Sequence, residues 1–140
     1  MADAATQRIL VCDDDRVQRE LMQEMLKRLG HPCDTSNNGR QALAQLRRQR
    51  YAALITDIFM AEMDGIELAR ELRQDYPGLP VIAVTGGFGG VLKPYAHFMT
   101  VMGAVAVLRK PFTRDELAAA LDKAFAPVAA EADGGDSGDT

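Results

Sequence analysis

Apolar and polar positions along this chain fall into two alternating kinds of segment. Short strand candidates, most of them apolar, occupy Arg8–Cys12, Cys33–Ser36, Ala52–Thr56, Pro80–Val84 and Val105–Leu108. The first, third and fourth are nearly continuous in apolar residues, the mark of parallel strands covered on both faces. Between the runs, apolar residues recur at helical spacing, as in Val17, Leu21, Met25 and Leu29, and later Leu117, Leu121 and Ala124.

Helix starts are marked by short polar residues that can accept hydrogen bonds from the unpaired N–H groups of a first turn. Asp15 with Gln18, Asn38 with Gln41, Asp64 with Glu67 and Thr113 with Glu116 all have the spacing of a capping box. A further helix is expected to start near Lys93 and Pro94, because proline suits the first helical position. Five strands alternating with five helices imply a doubly wound α/β sandwich with right-handed crossovers. No internal repeat and no second domain interrupts this pattern.

In such sheets, ligands bind outside the carboxyl ends of the strands. The first strand leads into Asp13, Asp14 and Asp15, the third into Asp57, the fourth into Thr85 and the fifth into Lys110. The second ends in Ser36 and Asn37 and offers nothing distinctive. Three adjacent carboxylates disfavour their own ionisation, so they call for solvent, a counter-charge or a cation. Asp15 is expected to be a helix cap. Asp13, Asp14 and Asp57 would be hard oxygen ligands of the kind Mg²⁺ prefers. Lys110 adds a point charge and Thr85 a hydroxyl donor for the same phosphate oxygens. A carboxylate so placed can attack phosphorus and form an aspartyl phosphate.

Composition narrows this further. The 140 residues suit one domain with its own core. The formal charge of −4 is unevenly distributed: all 16 Lys and Arg precede Pro127, while Glu131, Asp133, Asp136 and Asp139 follow it. The body is therefore neutral, which argues against a direct nucleic-acid-binding face. Arg47, Arg48 and Arg50 read as a solvated helix end. Residues 1–7 form an N-terminal extension, 8–126 the domain, and 127–140 an acidic tail with little to bury and expected to be disordered. No apolar run approaches the ~18 residues that would span a membrane, and "MADAATQR" lacks the regions of a signal peptide. Cys12 and Cys33 fit no disulfide framework or metal spacing, so reduced thiols in a cytoplasmic protein are expected. His31 and His97 lack partners at metal or triad spacing and read as structural.

Taken in order, "ILVCDDD", "TDIFMAEMDG", "VTG" and "KPF" resemble the receiver domain of two-component response regulators, over about residues 8 to 125. The resemblance implies a flavodoxin-like five-stranded parallel sheet of order 2-1-3-4-5 with five helices. It implies that Asp57 is the phosphoacceptor and that Asp14 and the backbone carbonyl of Phe59 are further direct ligands of Mg²⁺. Asp13 would support the acidic pocket, partly through water, while Thr85 and Lys110 would engage the phosphoryl oxygens. A cis bond at Lys110–Pro111 is also implied. The expected function is that of a stand-alone response regulator, phosphorylated by a histidine kinase or histidine phosphotransfer protein. It would signal through a changed surface to a downstream protein, and would not be an enzyme beyond its own phosphorylation and dephosphorylation.

The chain departs from the receiver pattern at Ala61, where proline is usual, and in a longer, glycine-rich Thr85–Gly103 segment. It also departs at Val107, where an aromatic residue usually reports phosphorylation. Without that ring, the loop from Gly86 to Leu92 is the expected carrier of the signal. The run "TGGFGG" fails the spacing of a dinucleotide or P-loop motif. Two other classes compete. A phosphatase of the haloacid dehalogenase type would need a second aspartate where Phe59 stands. A receiver-like scaffold without phosphorylation would not need the acidic set and the lysine.

Overall fold

The computed structural model describes residues 7–58, 65–86 and 103–126. Five strands form one parallel sheet: β1 (Ile9–Cys12), β2 (Cys33–Ser36), β3 (Ala53–Asp57), β4 (Val81–Thr85) and β5 (Ala104–Arg109). Their order is β2-β1-β3-β4-β5, the flavodoxin-like order expected. Among the described residues there are four helices: α1 (Arg16–Arg28), α2 (Gly39–Arg48), α3 (Gly65–Asp75) and α4 (Arg114–Ala124). The helix expected near Lys93, the Asp64 cap, the Ala61 turn, the Phe59 carbonyl, the 87–92 part of the glycine loop, His97 and the tail all lie outside the described residues.

Alternate residues of each strand serve opposite faces. Ile9, Val11, Ile55, Ile82 and Val84 pack against Met22 and Leu26 of α1 and Leu117 and Leu121 of α4. Leu10, Cys12 and Leu54 pack on the other face against Leu43 and Leu46 of α2 and Leu68 and Leu72 of α3. Burial on both faces explains why the central strands read as apolar runs. Truncating a fully buried member such as Leu26 to alanine would cost about 2–5 kcal/mol.

The strand limits differ from the sequence expectation by about one residue, and the difference matters at two places. Asp57 and Thr85 are the last residues of β3 and β4, paired with Val84 and Arg109 respectively, rather than the residues beyond. A register shift between Val81 and Ile82 offsets β5 by one residue against β4.

The helix ends follow the capping rules. Asp15 accepts from the Val17 N–H at 2.9 Å, so it is a cap as expected. Thr113 and Glu116 form the full reciprocal box. Asn38 accepts from the Gln41 N–H at 2.8 Å, but the Gln41 side chain returns to the Asn37 N–H, one residue before the cap. At the end of α1, Gly30 adopts φ +87°, and the Gly30 and His31 N–H groups donate to the Lys27 and Leu26 carbonyls, a Schellman closure.

Val17 and Leu21, which recur at helical spacing in the sequence, are 60% and 55% exposed. The apolar positions of α1 cover more than one face, and the core takes Met22 and Leu26 instead. The outward pair lies in the first half of the helix, close to the acidic rim.

Candidate functional site

Each acidic residue is placed by local chemistry. After β1 the Asp13 N–H still donates to the Ser36 carbonyl at 3.2 Å, extending the ladder by one residue. The Asp13 side chain accepts from the Asp15 N–H at 2.9 Å, and Arg19 Nη1 donates to the Asp13 carbonyl at 2.8 Å. These contacts fix the loop between β1 and α1. Asp14 projects from it into solvent, while Asp13 and Asp57 are 6% and 9% exposed. One carboxylate oxygen from each of Asp13, Asp14 and Asp57 lies within 4.8 Å of the others.

Lys110 closes the cluster. Its Nζ lies 3.2 Å from Asp13 Oδ2 and 3.4 Å from Asp57 Oδ2. Burial works against the ammonium charge, but the Asp57 and Asp13 carboxylates and their hydrogen bonds outweigh it and raise the lysine pKa. The Lys110 N–H donates to the Thr85 carbonyl at 2.8 Å, so the end of β5 is tied to the end of β4. Thr85 is 3% exposed at the end of the strand beside Asp57. The Lys110–Pro111 bond is cis, as the resemblance implied.

The donor set fits a hard divalent cation. It consists of carboxylate oxygens alone, two of them on nearly buried residues whose like charges need compensation. The same arrangement sets the Asp57 carboxylate beside a cation, Lys110, at hydrogen-bonding distance. All the expected site residues within the described segments are brought to one rim.

Sequence reasoning missed three contributors. Ser36, dismissed as indistinct, is buried, donates to the Val11 carbonyl at 3.4 Å and accepts from Asp13. Arg19 anchors Asp13 through a main-chain carbonyl, which no spacing in the sequence announces. A pocket of about 470 Å³ runs from Asp57 and Lys110 between Leu21, Met22, Met25 and Phe112. The exposed Leu21 was the available signal. Beneath the rim, burial pushes the Cys12 thiol up, and the Asp13 and Asp57 charges add to this against hydrogen bonds with Ser36 and Thr56. Cys12 and Cys33 are reduced thiols.

No helix among the described residues is long and apolar enough to cross a membrane. Residues 9–122 match the family model of the response regulator receiver domain. The transcriptional regulatory protein ZraR of Escherichia coli strain K12 is 38% identical over 118 residues, covering 84% of this chain and 26% of that protein. The chain thus spans about a quarter of the length of that relative. The response regulator receiver protein CpdR of Brucella abortus is 34% identical over 116 residues, covering 83% of this chain and 94% of that protein. The crystal structure of the Vibrio cholerae chemotaxis protein CheY4 is 26% identical, with a TM-score of 0.77 over 86% of this chain and all of that one.

Proposed function

This chain belongs to the response regulator receiver domain family, and on that premise we propose that Asp57 accepts a phosphoryl group from a histidine kinase or histidine phosphotransfer protein. Receiver domains are signalling domains that bind Mg²⁺ at an acidic pocket, and the clustered oxygens of Asp13, Asp14 and Asp57 support that role here. Asp14 and Asp57 would hold the metal directly, with the Phe59 carbonyl, and Asp13 would support it in part through water. Bound there, the metal would offset the charge of the incoming phosphate.

The chain's own residues do the rest. An Asp57 oxygen forms the new O–P bond as the N–P bond of the donor phosphohistidine breaks, its electron pair leaving with the imidazole. Lys110, already within hydrogen-bonding distance of Asp57, would turn to the phosphoryl oxygens. Thr85 would donate its hydroxyl to the same group. The exposed Val17 and Leu21, beside the Leu21–Phe112 pocket, offer an apolar landing for the donor protein next to the nucleophile.

The single observation that carries this reading is the convergence of Asp13, Asp14, Asp57 and Lys110 from three strand ends. The complete set favours phosphorylation over a non-phosphorylated scaffold, and family membership favours a receiver over a phosphatase. The CpdR relative, matched along 94% of its length and named a response regulator receiver protein, supports the reading of this chain as a response regulator, whose signal would pass to a downstream protein.

The test is labelling with a small phosphodonor. Wild-type protein should be labelled in the presence of Mg²⁺, and Asp57→Asn should lose the label. Asp14→Ala should weaken Mg²⁺ binding measured by calorimetry. Undiminished labelling of the Asp57→Asn protein would place the phosphoacceptor elsewhere.

A further inference from the structure

A second groove lies at the opposite end of the sheet from the acidic rim, where β3 and β4 begin. Its volume is about 600 Å³, and it is lined by the end of α2, the link into β3 and the link from α3 to β4. Three exposed arginines, Arg47, Arg48 and Arg50, stand along it, with Tyr51, Tyr76 and Leu79 completing the lining. No carboxylate is among its lining residues, although the chain carries 20 acids against 16 bases. Among the described residues none of the three arginines has an ion-pair partner.

The groove is braced from below. The Tyr51 hydroxyl donates to Asp34 Oδ2 at 2.7 Å, and Asp34 also receives Gln49 at 3.1 Å and Arg8 at 3.1 Å. That network holds the Tyr51 ring in place while spending the nearby carboxylate on other partners. A solvated helix end accounts for Arg47 and Arg48, whose charges suit the C-terminus of α2. It does not account for Arg50, which lies beyond the helix and lines the same groove. Three forked cations spread over helix and link suit carboxylates spaced along an extended chain.

We propose that this groove binds the chain's own acidic segment, residues 127–140, with Glu131, Asp133, Asp136 and Asp139 pairing with the three arginines. Charge points to this occupant first: the segment has four acids and no base, and the groove the reverse. Position points to it second. Ala126 follows α4 at the same end of the sheet, since Phe125 packs on His31 just before β2, with ring centroids 5.6 Å apart. Length permits it. At about 3.4 Å per residue, Glu131 reaches ~17 Å from Ala126 and Asp139 ~44 Å, whereas five strands span only ~19 Å. The tether matters because exposed ion pairs are individually weak. An attached segment is present at an effective concentration on the order of millimolar, so weak pairs can still fill the groove. The association rests on charge, as the segment has few apolar groups to bury.

The test uses the full chain by two-dimensional amide NMR at low salt. One variant replaces the four tail acids (Glu131→Gln, Asp133→Asn, Asp136→Asn, Asp139→Asn), and a second replaces Arg47, Arg48 and Arg50 with serine. Relative to wild type, the tail variant should shift amides of residues 46–52 and 76–80 and leave those around Asp13 and Asp57 unmoved. The same tail substitutions placed in the arginine variant should shift nothing in the groove. Raising NaCl to about 0.5 M, where the screening length falls to a few ångströms, should shrink the wild-type difference to less than about a third. The shifts should not depend on protein concentration. Groove amides indifferent to the tail charges would overturn the proposal. Shifts that grow with concentration would assign the segment to a second chain, and a response only to added polyglutamate would assign the groove to another acidic partner. Either result would also overturn it.

Discussion

The Lys110 ammonium stands 3.4 Å from the Asp57 carboxylate across 53 positions of sequence, joining the end of β5 to the end of β3. The same ammonium reaches Asp13 at 3.2 Å, so one cation holds two nearly buried anions together. A receiver site needs its carboxylates ionised and close, which is an unfavourable state on its own. Lys110 is what the resting fold uses against that repulsion. In the proposed function it is also the group that would face the phosphoryl oxygens.

Replacing Lys110 by methionine should therefore destabilise the Mg²⁺-free protein by about 1–3 kcal/mol, because two buried carboxylates lose their counter-charge. Added Mg²⁺ should recover more stability in the variant than in the wild type. Urea unfolding with and without Mg²⁺ measures both. Equal stability of the two proteins without metal would show that the carboxylates do not depend on the lysine.

Gly30 makes a prediction about the frame. A Cβ at this position would meet nothing within 4 Å, so the cost of a side chain is conformational alone. Gly30→Ala should lose about 1–2 kcal/mol from the φ of +87°, and Gly30→Asn should lose less, since asparagine tolerates that region. Equal losses for the two would mean that packing, not backbone conformation, sets the cost.

His31 makes a prediction about pH. Burial lowers its pKa from the ordinary 6.5, with the Asp122 charge opposing, and Nδ1 has no hydrogen-bond partner among the described residues. The folded chain therefore prefers the neutral ring. Between the lowered value and 6.5 the unfolded chain binds more protons, so this contribution is full above 6.5 and is lost as the pH falls. In thermal melts from about pH 7.5 down to pH 5, His31→Phe should lose less melting temperature than the wild type. A steeper fall in the variant would reverse the assigned sign.

The sheet was legible because its three central strands, β1, β3 and β4, are buried on both faces, so composition marks them. The rim was legible because strand order and the strand ends fix where polar residues meet, and Asp13, Asp57, Thr85 and Lys110 all sit at such ends. What escaped is non-local or main-chain in nature. The support of Asp13 by Arg19 and Ser36 runs through carbonyls and an N–H, which every residue possesses. The Asp34 hub joins residues up to 26 positions apart without any shared motif. Helical spacing alone does not say which face of α1 is buried, because its apolar positions fill more than one face, and only packing decides that Met22 and Leu26 turn inward while Val17 and Leu21 do not.

The last prediction concerns how phosphorylation is reported without an aromatic residue in β5. Val107 pairs with Ala83 and packs against the buried cluster of Ile58, Ala69, Ala83 and Ala104. Its single torsion is stiff, as in any β-branched side chain. The better connection is the 2.8 Å bond from the Lys110 N–H to the Thr85 carbonyl. A phosphoryl group that drew the Thr85 hydroxyl and the Lys110 ammonium together would act on both ends of that bond. Its pull would pass to Pro111 and Phe112 and to the Thr113 cap of α4. On forming the beryllofluoride complex, which mimics the aspartyl phosphate, amide shifts should be larger over residues 109–113 than over 105–107. The Val107 methyl couplings should keep their resting rotamer. A change of Val107 rotamer, with residues 109–113 undisturbed, would return the readout to the position where the family places its ring.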